Sequence, residues 1–202
     1  MKIKTLHSIL SIICLVMLPM FTIGCSQQSD VQTLDNIGEE ARWRIVLHEG
    51  LPALGHRNWI VVADAAYPSQ ASPGIETMVT HGDQIEVLRA VLAEIDQAKH
   101  LSAHVTTDTE LKYVDDRDAR GVDDYRTRLK NLLDGRNNSS MLHEDIIAKL
   151  DKAGEKYHVL ILKTNLMIPY TSVFIDLGCG YWPSESEAKL RRAMQGNQDG
   201  GK

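Results

Sequence analysis

Cysteine is scarce in this chain: three in 202 residues, at Cys14, Cys25 and Cys179. Cys14 lies in an N-terminal apolar stretch and Cys25 just after it, which leaves Cys179 without an intramolecular mate. That count excludes a disulfide-stapled fold, so stability has to come from a core. Cys179 sits in Gly178-Cys179-Gly180 with no base partner nearby in the sequence and reads as structural. Basic residues are also in deficit, 22 Lys and Arg against 27 Asp and Glu, which argues against nucleic acid as a partner. There is no phosphate-cradling Gly-rich loop and no Gly-x-Ser-x-Gly elbow.

The one sustained apolar run is at the start. Lys2 and Lys4 form a basic region, Ile9 to Phe21 an apolar one, and Gly24-Cys25 a processing site. The run is too short to favour a membrane span. It resembles a bacterial lipoprotein signal, with residues 1–24 removed and Cys25 lipidated. Thr22 stands where such signals usually carry Leu. An ordinary secretory signal or an uncleaved anchor is the alternative. Loss of Lys2 and Lys4 leaves 20 basic against 27 acidic residues, a net charge of −7. Ser26 after Cys25, rather than Asp, is compatible with an outer-membrane address on the periplasmic side of the cell envelope. Residues 25–36 then read as a polar tether.

The remaining chain, residues 37–183, is long enough for one domain. Glu39 to Leu54 has a helical pattern broken at Gly50-Leu51-Pro52. Asp83 to His100 is the clearest helix, with Ile85, Leu88, Val91, Leu92 and Ile95 in one stripe and an Asp83/Glu86 capping box. Strands are expected at Trp59–Ala63, Leu101–Thr107, Tyr157–Lys163 and Ser172–Leu177. Helices are expected at Asp123–Leu133 and Met141–Ala153, divided by the turn-rich stretch Gly135 to Ser140. Interleaved helices and apolar strands predict an α/β class, a single layered α-β-α domain with a mixed sheet. Residues 184–202 read as a short helix, Ser184 to Ala193, and a disordered tail from Gly196.

Several constellations fail as sites. His100-x-x-x-His104 lies in an expected strand rather than on a helix face, so no metal is assigned. Asp116-Arg117-Asp118-Ala119-Arg120-Gly121 opens like a calcium loop, but Arg120 holds a ligand position and Thr127 replaces the closing Glu. The acidic run Asp115 to Asp124 therefore reads as a solvated loop and helix start.

Leu54 to Pro68, LGHRNWIVVADAAYP, is the most informative stretch. His56 stands in a Gly-containing turn before a short Ile/Val strand, and Asp64 ends that strand. Polar side chains at strand ends are where α/β proteins build sites. The strings Leu54-Gly55-His56, Ala63-Asp64-Ala65 and Tyr67-Pro68 resemble the ribose pyranase and fucose mutarotase family of sugar isomerases. Lys163-Thr164 and Pro169-Tyr170, before the strand that starts near Ser172, resemble the family's second motif. His143-Glu144 resembles the His-Glu that opens a helix in its pyranase branch.

That resemblance implies a cofactor-free isomerase acting on free monosaccharides. It also implies a ring-shaped homo-oligomer, a decamer of two stacked pentamers or a single pentamer, with sites completed between neighbours. Ring opening of a hemiacetal needs a proton delivered to the ring oxygen and one removed from the anomeric hydroxyl, work suited to a neutral histidine. The expected roles are His56 as acid/base, Asp64 orienting it or holding a sugar hydroxyl, His143 as second proton carrier, and Tyr170 at the pocket rim. Asn165 and Ser172 are candidate sugar-binding residues. The bland alternatives are a turn histidine, a solvated helix-start histidine and a half-buried tyrosine.

The chain departs from the family pattern in three places. Asn58 replaces an Asp two residues after the His, Asn165-Leu166 replace Gly-Glu, and Ser172 replaces Asn. Neither Asn nor Ser relays a proton as a carboxylate does. These departures keep open a second reading, a non-catalytic carbohydrate-binding or scaffold lipoprotein.

Overall fold

The computed structural model describes residues 38–199. The expectations for the leader, Cys25 and the tether fall outside them. Helix α1 (Glu39–Gly50) ends in a 3-10 turn, Leu51–Ala53, where Pro52 halts the α-helix. Then come β1 (Trp59–Ala63), β2 (Ile75–Val79), α2 (Gln84–Gln97), β3 (Leu101–Asp108) and a second 3-10 turn, Thr109–Tyr113. Helix α3 (Val122–Leu133), β4 (Asn138–Met141), α4 (His143–Gly154), β5 (Val159–Lys163), β6 (Val173–Cys179) and α5 (Ser184–Asp199) complete the chain.

The six strands form one mixed sheet in the order β2-β5-β1-β6-β3-β4. Strand β6 runs antiparallel to both its neighbours, β1 and β3, while the other pairings are parallel. Five strands therefore end at the same edge of the sheet. Alternation along the strands divides the core in two. Ile60, Val62, Leu160, Leu162 and Ile175 pack with Trp43 and Leu47 of α1, the stripe of α2 and Tyr125 and Leu129 of α3. Val61, Ala63, Ile161 and Phe174 face the other way, against Ile146 and Leu150 of α4. The sheet is thus covered on both faces, the α-β-α layering expected.

Helix α2 shows how the sequence sets an element. Its five stripe residues are all at most 2% exposed, each worth roughly 1.5–3 kcal/mol on burial. The Asp83 carboxylate accepts from the Ile85 and Glu86 amides, capping the start. Glu86 turns outward to Arg89, so only the Asp half of the expected capping box forms.

Two strands went unread in the sequence, β2 and β4. Residues Asn138–Ser140, expected as turn, pair in parallel with β3 from Val105 onward. Both strands lie at sheet edges. Strand β4 is polar and largely exposed, so it carries none of the apolar alternation that marks a strand. Helix α5 also runs further than expected, through residues 196–199, where the sequence predicts a disordered tail. An i,i+4 ion pair, Glu187–Arg191 at 2.7 Å, supports it. No proline follows Pro183 to stop it. Among the described residues no helix is long and apolar enough to cross a membrane.

Candidate active site at the carboxyl end of the sheet

Strand β1 carries the two residues first expected to act together, and it holds them apart. His56 is exposed in the turn before Trp59, whereas Asp64 follows Ala63 at the far end. At about 3.3 Å per residue the strand alone separates them by more than roughly 15 Å. Asp64 therefore does not orient His56 within one copy of the chain. The turn around His56 is closed by Asn58, whose Oδ1 accepts from the Gly55 amide at 2.7 Å and whose Nδ2 donates to the His158 carbonyl at 3.3 Å.

The carboxyl end of the sheet gathers the other candidates. Because β6 enters here, the loop from Thr164 to Ser172 crosses the ends of the parallel strands. The Ser172 hydroxyl, 2% exposed, donates to Asp64 Oδ2 at 2.8 Å. It accepts in turn from the Asp64 amide at 3.2 Å. Asp64 Oδ1 also accepts from the Ala66 amide at 2.8 Å, which fixes the carboxylate. Thr164 Oγ1 lies 3.0 Å from both the Ala63 carbonyl and Gln84 Oε1. Buried Gln84 donates to the Thr171 carbonyl, and so does Tyr125, at 2.7 Å. Asn165, a candidate sugar ligand, spends its amide on the His81 carbonyl at 2.6 Å.

His143 is the first residue of α4, as its motif implied. Its Nδ1 is 3.1 Å from Oδ2 of Asp108, the last residue of β3. Its amide donates to the Glu110 carboxylate at 3.1 Å, and its ring meets that of Tyr170 edge-on, centroids 5.6 Å apart at 84°. Tyr170 reaches this position from a left-handed backbone, φ +59°, a conformation that costs a non-glycine residue about 1 kcal/mol or more. Strand order places the ends of β1 and β3 on either side of β6, so Asp64 and Asp108 are about two strand spacings apart, roughly 10 Å.

Asp108 is the functional candidate that sequence reasoning missed. It is 1% exposed, and burial pushes its carboxyl up to about 6. His143 opposes that rise, while the negative charges of Glu110 and Asp64 add to it. Its Oδ1 is buried without a hydrogen-bond partner among the described residues, and so is the hydroxyl of Tyr67. Burial raises the Tyr67 hydroxyl, with Asp151, Asp108 and Asp64 adding to the rise. The signal was present in the sequence: an aspartate closing the run Val105-Thr106-Thr107 repeats the pattern that singled out Asp64.

The arrangement has a definite chemical capacity. An ionised Asp108 only accepts, so a neutral His143 facing it carries its proton on Nδ1 and leaves Nε2 as a base. Asp64, held by Ser172 and a backbone amide, presents a fixed acceptor across the site. Beside Asp108 a cavity of about 410 Å³ opens between α3 and the second 3-10 turn, lined also by Leu111, Arg126 and Leu129. Among the described residues no group of three or more His, Cys, Asp or Glu is placed to hold a metal ion.

The chain matches no family model and no curated protein. Among solved structures it is similar to RbsD of Bacillus subtilis complexed with D-ribose, at 20% identity over 65% of this chain and 90% of that one, TM-score 0.47. It is similar to the fucose mutarotase of Streptococcus pneumoniae in complex with L-fucose, at 17% identity over 64% and 89%, TM-score 0.46. It is also similar to FucU of Bifidobacterium longum, at 19% identity over 65% and 92%, TM-score 0.44.

Proposed function

We propose that this chain is a cofactor-independent isomerase that interconverts ring forms of a free monosaccharide. The observation that carries the reading is the His143–Asp108 pair, a half-exposed imidazole backed by a buried carboxylate at the carboxyl end of the sheet. The motifs around His56, Asp64, Thr164 and Tyr170 support the same class of chemistry by resemblance. In this account Nε2 of His143 takes the proton of the anomeric hydroxyl, and Asp108 stabilises the imidazolium that forms. Asp64 and Ser172 hold a sugar hydroxyl, and Tyr170 contributes its own hydroxyl at the rim. As the ring C–O bond breaks, a second proton reaches the ring oxygen from His56 of a neighbouring copy in a ring-shaped homo-oligomer. The lipid on Cys25 would tether that assembly to the cell envelope.

The second reading, a non-catalytic carbohydrate-binding lipoprotein, is favoured by Asn58 and Asn165. Both spend their side chains on loop backbone, at Gly55, His158 and His81. Magnetisation-exchange NMR on ribose, fucose and galactose separates the two. The enzyme reading predicts faster exchange between ring forms of at least one sugar when the protein is added. Saturable binding with exchange at the solvent rate would establish the second reading instead.

A further inference from the structure

The opposite end of the sheet carries a second, differently charged cleft. Trp59, His104 and Asp176 stand side by side across β1, β6 and β3, since Asp176 is in register with both of the others. Alternation puts them on the α4 face, in line with Val61 and Phe174. Alongside α4 the three side chains floor an open groove of about 520 Å³, which reaches back to Ile146 and Met141, within the range of small-molecule sites. Its walls are cationic: Lys149 and Lys152 from α4, Lys156 just beyond it, and Arg57 from the turn before β1.

Four positive side chains around one groove are unusual on a chain whose net charge is −5. None of the four makes an ion pair with a carboxylate among the described residues. Arg57 is nonetheless held in place, donating to the Tyr157 hydroxyl at 2.8 Å with its guanidinium over the ring. His104 is fixed by Asn137 and Ser139, each at 3.0 Å. Asp176 is half-buried, and its carboxylate accepts no side-chain hydrogen bond among the described residues. The groove thus offers donors and positive charge at its rim and an unused acceptor beside an indole on its floor. A simple anion satisfies only the rim, and a neutral sugar only the floor.

We propose that this groove binds a monosaccharide-sized organic phosphate, its phosphate among Lys149, Lys152, Lys156 and Arg57 and its hydroxyls donating to Asp176. Within one copy the groove is distinct from the Asp108–His143 pair but adjoins His56, the residue before Arg57, and its readout is binding rather than turnover. The test is an NMR titration of the full chain with ribose 5-phosphate, following the Trp59 indole and the Asp176 amide. The expected result is saturable shifts at both, with ribose and inorganic phosphate each binding about tenfold or more weakly. The double variant Lys149→Glu/Lys152→Glu, altered at exposed positions, weakens the sugar phosphate by at least about tenfold. Asp176→Asn weakens the sugar phosphate but leaves inorganic phosphate unchanged. No saturable shift, equal affinity for inorganic phosphate, or indifference to the lysine substitutions would overturn the proposal.

Discussion

Burial governs the behaviour of Asp108. The ordinary aspartate pKa is near 3.9, and in this fold the carboxyl is pushed up to about 6. A folded-state value above the unfolded one means its favourable contribution is complete below pH ~4 and is lost as pH rises through about 6. Above that, the fold keeps a buried charge. Asp108→Asn removes it, so thermal melts of variant and wild type should diverge in the variant's favour between pH 4 and pH 8. A difference that is constant across that range would show that Asp108 does not titrate as a buried acid. The residue also marks where sequence reasoning stopped. Asp64, His143, Tyr170 and Ser172 were legible because each sits in a recognisable string, and the structure gathers them at one edge. The partnership of Asp108 with His143 was not, because it joins residues 35 apart through the pairing of β3 with β4, which leads directly into α4. His56 and Asp64 are held apart within one copy for a related reason: a string of neighbouring residues hides the fact that a strand has two ends.

Elements were legible in proportion to their burial. Strand β1 and helix α2 announce themselves through apolar period, and their observed bounds sit within a few residues of expectation. Strands β2 and β4 owe their conformation to the neighbours they pair with, so their own sequences say little. Strand β2 depends on a close approach at its entry. The Gly74 amide donates to the Gly154 carbonyl at 3.2 Å, and the Gly74 carbonyl accepts from the Val159 amide at 2.8 Å. A methyl group on Gly74 would collide with the carbonyl oxygens of Gly154 and Tyr157, backbone atoms that cannot swing aside. Gly74→Ala is therefore expected to cost about 1–3 kcal/mol, the range for overpacking, read as a lower urea midpoint. An unchanged midpoint would mean that the end of α4 and the start of β2 are not locked together.

At the scale of the whole molecule, the account assigns the two candidate histidines to different edges of one sheet and brings them together only between copies. Complementation tests that arrangement. His56→Ala and His143→Gln chains, each inactive alone, should recover part of the exchange activity when unfolded together and refolded as a mixture. Separate refolding followed by brief mixing should recover less. No recovery in either case would remove His56 of a neighbouring copy from the mechanism. The claim on which everything else depends, however, is that His143 backed by Asp108 moves the proton. It is tested most directly by the rate of sugar ring interconversion in His143→Gln, measured by magnetisation exchange beside wild type on a sugar that both bind. The account predicts a rate lower by about 10²–10⁴-fold, the usual contribution of a positioned acid/base group, with sugar affinity and circular dichroism retained. A His143→Gln chain that exchanges sugar as fast as wild type would contradict it.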